Sequence, residues 1–227
     1  MITRQYAAWL AMEAIYADDK RASQFDQLLN VGNDVVGILT VNDTLTITPE
    51  GTYNGKGWLE DFDWLPAFSH PIWGDVHQDF YDALLAIYQA VKPLALDAIT
   101  KGHDVFIQGH SRAGTLADAL ASHCALDGIK TNLSTFEAAN FGCQQYSDWA
   151  NRMVASGLIN VLTCTRNGLD PVPSLPPPPW VRTYPKTDLE LNAPPGGLED
   201  ILPLSWHMSA TVYPAYSKIY PQLEFTP

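Results

Sequence analysis

Cysteine, positive charge and long apolar runs are all scarce in this 227-residue chain, and each shortage excludes something. The three cysteines, Cys124, Cys143 and Cys164, are an odd number without regular spacing. They make neither a disulfide framework nor a paired Cys/His ligand set for zinc. Cys124 and Cys164 stand in apolar runs and read as core residues; a single disulfide stays open. Lys and Arg number 13 against 25 Asp and Glu, a formal net charge of −12. So acidic a chain lacks the basic face that nucleic acid requires, and charge alone will not dock it on anionic lipid. No apolar run approaches the ~20 residues needed to span a bilayer, so no transmembrane segment is expected. The N-terminal stretch from Thr3 to Tyr16 is interrupted by Glu13 too early for a signal-peptide core, and its spacing is that of an amphipathic helix. A cytoplasmic protein, or one released by a non-classical route, is therefore expected. Nothing in the sequence sets an oligomeric state.

What is present describes a folded globular chain. Apolar residues make up 46% and charged residues 17%, and the length suffices to bury a core without staples. One domain over residues 1–227 is expected, with no internal repeat. Asp34–Val41 and Thr44–Thr48 read as strands joined at Asn42-Asp43, a β-hairpin. Residues 51–74 are rich in glycine and aromatics and fit no long element. Apolar positions from Phe80 to Leu96 predict a helix from Val76 to about Ile99, kinked at Pro93. Strands are expected at Asp104–Gln108, Lys130–Phe136 and Leu158–Thr165, with a helix over about 144–156. Short strands follow at Val181–Tyr184 and Asp188–Leu191, and a last helix from about Met208. A hairpin followed by alternating strands and helices predicts an α/β fold with a central sheet.

The most informative stretch is Gly109-His110-Ser111-Arg112-Ala113-Gly114. A buried strand precedes it, and Ala113, Leu116, Ala117, Leu120, Ala121 and Cys124 follow at helical spacing. Strand, sharp turn with a serine at its apex, helix: this is the context of a nucleophile elbow. An ordinary turn whose serine caps the helix would share the pattern.

A serine hydroxyl needs a histidine to take its proton, and that histidine needs an acid on its other nitrogen. In α/β-hydrolases the chain order is serine, acid, histidine. Only His123 and His207 follow Ser111, and His123 lies about three helical turns away on the same helix. His207, in a loop, is the candidate base. Asp170, just beyond the strand Leu158–Thr165 on a loop stiffened by proline, is the candidate acid. Asp200, near His207 in sequence, is its rival.

These segments together resemble the class 3, or fungal-type, lipases of the α/β-hydrolase superfamily. That family's elbow is typically G-H-S-L-G-G, matched by Gly109–Gly114. Its acid lies in a segment like N-x-x-D-x-V-P-x-L-P-P, matched by Asn167–Pro177. Thr135-Phe136-Glu137-Ala138-Ala139-Asn140-Phe141-Gly142 resembles the strand and glycine turn after the elbow helix. Upstream, Glu50-Gly51-Thr52, Trp58-Leu59-Glu60-Asp61-Phe62 and Val76-His77-Gln78-Asp79-Phe80 stand where the family has R-G-T, W-L-x-D-x and V-H-x-G-F. Glu50, Asp79 and Ala113 depart from its arginine, glycine and glycine.

The resemblance implies an α/β-hydrolase fold, a mostly parallel central sheet flanked by helices. It implies a serine hydrolase, most simply a lipase cleaving acylglycerol esters through Ser111, Asp170 and His207 without metal or organic cofactor. Thr52 and the N–H of Arg112 match the oxyanion hole. Residues 53–65 match the lid, with Trp58, Leu59 and Phe62 meeting a lipid or small ester substrate, at a lipid–water interface where the substrate forms one. A phospholipase, short-chain or feruloyl-type esterase would use the same machinery. A lipase-like binding protein without turnover is the reading from a different class.

Overall fold

The computed structural model describes residues 14–16, 24–52, 67–184 and 188–191. Its centre is a seven-stranded sheet. β1 (Gln27–Val31), β2 (Asp34–Val41) and β3 (Thr44–Pro49) form an antiparallel meander at one side. β6 (Asp104–His110), β7 (Thr131–Phe136), β9 (Ile159–Arg166) and β11 (Asp188–Glu190) then continue in parallel, giving the order β1-β2-β3-β6-β7-β9-β11. Asn42 and Asp43 both take positive φ, at 50° and 56°, as a two-residue turn matched to strand twist requires.

Alternation along the strands divides the apolar residues between two faces. Val36, Ile38, Ile47, Val105, Ile107 and Leu133 enter the main core, whereas Leu39 packs with Ala14, Ile15 and Phe25, and Phe106 with Leu162. The sheet therefore carries apolar side chains on both faces, as expected of its parallel part. On the main face lie α1 (Gln78–Thr100) and α2 (Arg112–Leu126), packed on each other and on the sheet, with α3 (Gln144–Ala155) against β9. By length and composition α1 is apolar enough to cross a bilayer, at a mean hydropathy of 1.3. Here it buries Phe80, Leu84, Ile87, Tyr88 and Val91 in the core instead.

A second sheet was not expected from the sequence. β4 (Ala67–His70), β5 (Gly74–His77), β8 (Gly142–Cys143) and β10 (Trp180–Val181) form four short antiparallel strands in the order β10-β8-β5-β4. Val76 and His77, expected to begin the helix, belong to this sheet because the His77 N–H donates to the Phe141 carbonyl at 2.9 Å. The helix begins one residue later and runs through Pro93 to Thr100. The three cysteines are all thiols. The amphipathic N-terminal helix lies almost wholly outside the described residues, as does the helix from Met208.

Candidate active site

The elbow forms because β6 and α2 meet with a single residue between them. That residue, Ser111, is forced to φ 60°, ψ −130°, a conformation a side-chain-bearing residue rarely adopts. Its carbonyl opens the helix by accepting the Gly114 N–H at 2.9 Å, and its own N–H donates to the Phe136 carbonyl at 2.8 Å. Closure this tight needs glycine on both sides. A Cβ on Gly109 would lie 2.2 Å from the Ala113 carbonyl oxygen. One on Gly114 would lie 2.9 Å from the Ala138 methyl. Gly114 thus makes the close approach to β7, and the Ala113 methyl is accommodated in full burial.

The neighbouring strands end at the same level. His110 pairs with Phe136, and Phe136 with Thr165, so the residues just past β6, β7 and β9 share one edge of the sheet. Ser111 stands past β6, Glu137 past β7, and the Asn167–Asp170 turn past β9. Strands lie ~4.8 Å apart, so the β6 and β9 ends are separated by about 10 Å, room for an imidazole between hydroxyl and carboxylate. Ligand and catalytic groups of open α/β sheets gather at this edge.

Asp170 is buried, and its loop is held from several directions. Its N–H donates to the Asn167 carbonyl at 2.9 Å, and its Oδ1 accepts from the Val172 N–H at 2.9 Å. Farther along, the Asn140 N–H donates to the Leu175 carbonyl at 2.7 Å and its side-chain amide to the Pro176 carbonyl at 3.0 Å. The proline segment is thereby tied to the chain leaving β7.

Thr52 follows β3, the neighbour of β6 on the other side from β7. Gly51 beside it is pressed so close to the elbow that a Cβ there would meet Tyr16 Oη at 1.8 Å and the His110 carbonyl oxygen at 3.0 Å. Tyr16 also bonds the His110 ring at 3.3 Å, and burial raises its pKa beyond the usual phenol range. Arg112 opens α2, which puts its backbone N–H in the first turn of the helix; its guanidinium is turned away to pair with Asp34 at the start of β2. His123 packs its ring 4.2 Å from that of Tyr88 and 5.8 Å from that of Trp73, and burial lowers its pKa. At the far end of α2 it cannot reach Ser111. His207, its neighbour Asp200 and the segment 53–65 with Trp58, Leu59 and Phe62 lie outside the described residues.

Glu137 was not singled out by sequence. It is fully buried at φ 52°, and its Oε2 accepts the Asn167 N–H at 3.0 Å. Burial first, then the facing Asp170, raises its pKa well above the ordinary glutamate value. The signal available was a lone acid in an apolar stretch immediately beyond a strand. Among the described residues no cluster of His, Cys, Asp and Glu could hold a metal ion.

Residues 46–180, more than half of the chain, match the sequence pattern of the lipase (class 3) family. The chain belongs to the class 3 lipases. The matched stretch takes in Thr52, Ser111, Arg112 and Asp170 and stops short of His207. Among solved structures the fold is similar to that of Rhizomucor miehei triacylglyceride lipase, at 18% identity and a TM-score of 0.66, covering 78% of this chain and 77% of that one. Aspergillus oryzae mono- and diacylglycerol lipase gives 14% and 0.60, covering 87% and 83%. The R. miehei lipase propeptide complex gives 20% and 0.61 over 78% of this chain, which spans 65% of the length of that one. At such identities the likeness establishes the α/β-hydrolase fold alone. No curated protein matches this class 3 lipase by sequence.

Proposed function

We propose that this class 3 lipase hydrolyses carboxylic esters, with acylglycerols as the substrate class. The observation that carries the reading is Ser111 held at φ 60° between β6 and α2, with Asp170 beyond β9 on the same sheet edge. In this reading Ser111 attacks the ester carbonyl and His207 takes its proton, oriented by Asp170. The tetrahedral oxyanion accepts hydrogen bonds from Thr52 and the Arg112 N–H, a pair of donors worth several kcal/mol to the rate. His207 protonates the departing alcohol, and water then repeats the sequence to release the acid from the acyl-enzyme. Burial of Ser111 and Asp170 strengthens the electrostatic contacts they make. Residues 53–65 act as a lid whose Trp58, Leu59 and Phe62 meet the lipid.

The test is covalent capture by a fluorophosphonate probe together with turnover of p-nitrophenyl esters from acetate to palmitate. Wild type should react and turn over, while folded Ser111→Ala should do neither. A folded Ser111→Ala protein with wild-type turnover would remove Ser111 from the mechanism.

A further inference from the structure

Glu137 places a carboxyl group where one is costly to keep. Its side chain is fully excluded from solvent, and its backbone is held at φ 52° by an N–H bond to the Thr165 carbonyl at 2.9 Å. A small residue, or glycine above all, would suit that backbone better. One oxygen, Oε2, is occupied by the Asn167 N–H, but among the described residues no N–H or O–H donor reaches Oε1. Beside it lies a second buried acid, Asp170, whose N–H donates to the carbonyl of the same Asn167 that binds Oε2, and the two carboxyl groups interact. Two buried carboxylates in contact repel unless one proton is shared between them.

We propose that Glu137 carries that proton at neutral pH and donates it to Asp170, so that the triad acid is itself held by a neutral carboxyl. The inference rests on the reading of Asp170 as the acid that orients His207. Aspartate is intrinsically the more acidic of the two, and Asp170 also receives the Val172 N–H. The anion therefore resides on Asp170, where an imidazolium would need it, and the proton on Glu137. Among the described charged groups, Asp170 and Arg182 act on Glu137: the first favours protonation, the second opposes it, and burial outweighs both. Glu137 is then a positioning residue. It fixes the Asp170 carboxylate and lowers its basicity without touching the ester.

This separates two kinds of substitution. Glu137→Gln keeps an acceptor for the Asn167 N–H and supplies an N–H donor to Asp170. It should hold kcat within about threefold of wild type, because the neutral donor is preserved. Glu137→Leu removes both and should lower kcat by about tenfold or more at nearly constant KM, as expected when a buried acceptor loses its donor. Infrared spectroscopy at pH 8 supplies the direct readout, since Asp118, whose pKa burial raises to about 6, is ionised there. Wild type should show the C=O stretch of a protonated carboxyl, shifted by isotope-labelled glutamate and absent in Glu137→Gln. The isotope measurement needs no variant to fold.

No glutamate-shifted band, or equal loss of kcat in Glu137→Gln and Glu137→Leu, would overturn the shared proton while leaving the triad standing. Wild-type turnover in both Ser111→Ala and Asp170→Asn would remove the triad itself. Collapse of turnover in Glu137→Gln with full turnover in Asp170→Asn would exchange the roles of the two acids and overturn the proposal.

Discussion

Ser111 donates its backbone N–H to the carbonyl of Phe136 at 2.8 Å, just beyond the last register pair between β6 and β7, His110 with Phe136. The candidate nucleophile is therefore bonded into the sheet through its main chain, and its strained φ is imposed by the strand beside it as well as by the helix after it. Substitutions that loosen this junction should act on the hydroxyl's position and on stability together.

Gly109→Ala is the sharpest such change. The added methyl would meet the Ala113 carbonyl carbon at 2.3 Å and its oxygen at 2.2 Å, both backbone atoms that cannot rotate away. A loss of about 3 kcal/mol in urea unfolding is expected, at the upper end for overpacking. Fluorophosphonate capture should slow in the protein that remains folded. A variant as stable as wild type would mean that the turn relaxes freely.

Asp170 and Asp200 are separated by isosteric replacement. Asp170→Asn should lower kcat by about 10⁴, through the wrong imidazole tautomer. Asp200→Asn should change it by less than about tenfold. Single-turnover and steady-state kinetics on a p-nitrophenyl ester measure both, and the opposite ranking would transfer the acid role to Asp200.

Asp118 gives a pH dependence of known sign. Its oxygens accept from the Tyr146 hydroxyl at 2.8 Å and the Thr183 hydroxyl at 2.7 Å, yet burial raises its pKa from 3.8 to about 6. The folded state thus binds the proton more tightly than the unfolded chain. Its contribution to stability is full below about pH 4 and falls as pH rises through about 6, by about 3 kcal/mol in all. Relative to wild type, Asp118→Asn should gain stability between pH 4 and pH 7 in urea titrations. A difference between the two proteins that does not change with pH would show that Asp118 ionises freely when folded.

For the lid, activity on a short triglyceride should rise disproportionately once substrate exceeds its solubility and forms droplets. Trp58→Ser should blunt that rise more than it slows hydrolysis of a soluble monomeric ester. Simple saturation through the solubility limit, or equal loss on both substrates, would leave Trp58 as a packing residue.

The long elements of this fold were legible because each repeats its signal. Val105 and Ile107 alternate with Phe106, and Leu116, Ala117, Leu120 and Ala121 hold helical spacing, so strand, turn and helix around Ser111 follow from periodicity. The second sheet was not legible. Its strands run for two to four residues, too few for a period, and they exist because Gly142 and Val76 pair across the fold. β1 escaped for a related reason: as an edge strand it is buried only in part and shows weak alternation. The Asp170 loop was readable from its prolines and its position past a strand. Glu137 was readable as a residue of the β7 exit but not as part of the site, because a lone acid carries no mark of what it will face.

The level ends of β6, β7 and β9 have a mechanical consequence. Ser111, Glu137 and the start of the Asp170 turn hang from successive strands, so the spacing of the strand ends that carry them is measured out in strand widths. Surface loops can breathe, shorten or be exchanged without altering that gauge. Shearing β7 against either neighbour by one register step would shift it at once. Variation among chains built this way is therefore free to accumulate in whatever covers the sheet edge, while the ladder behind it sets the spacing of the strand ends.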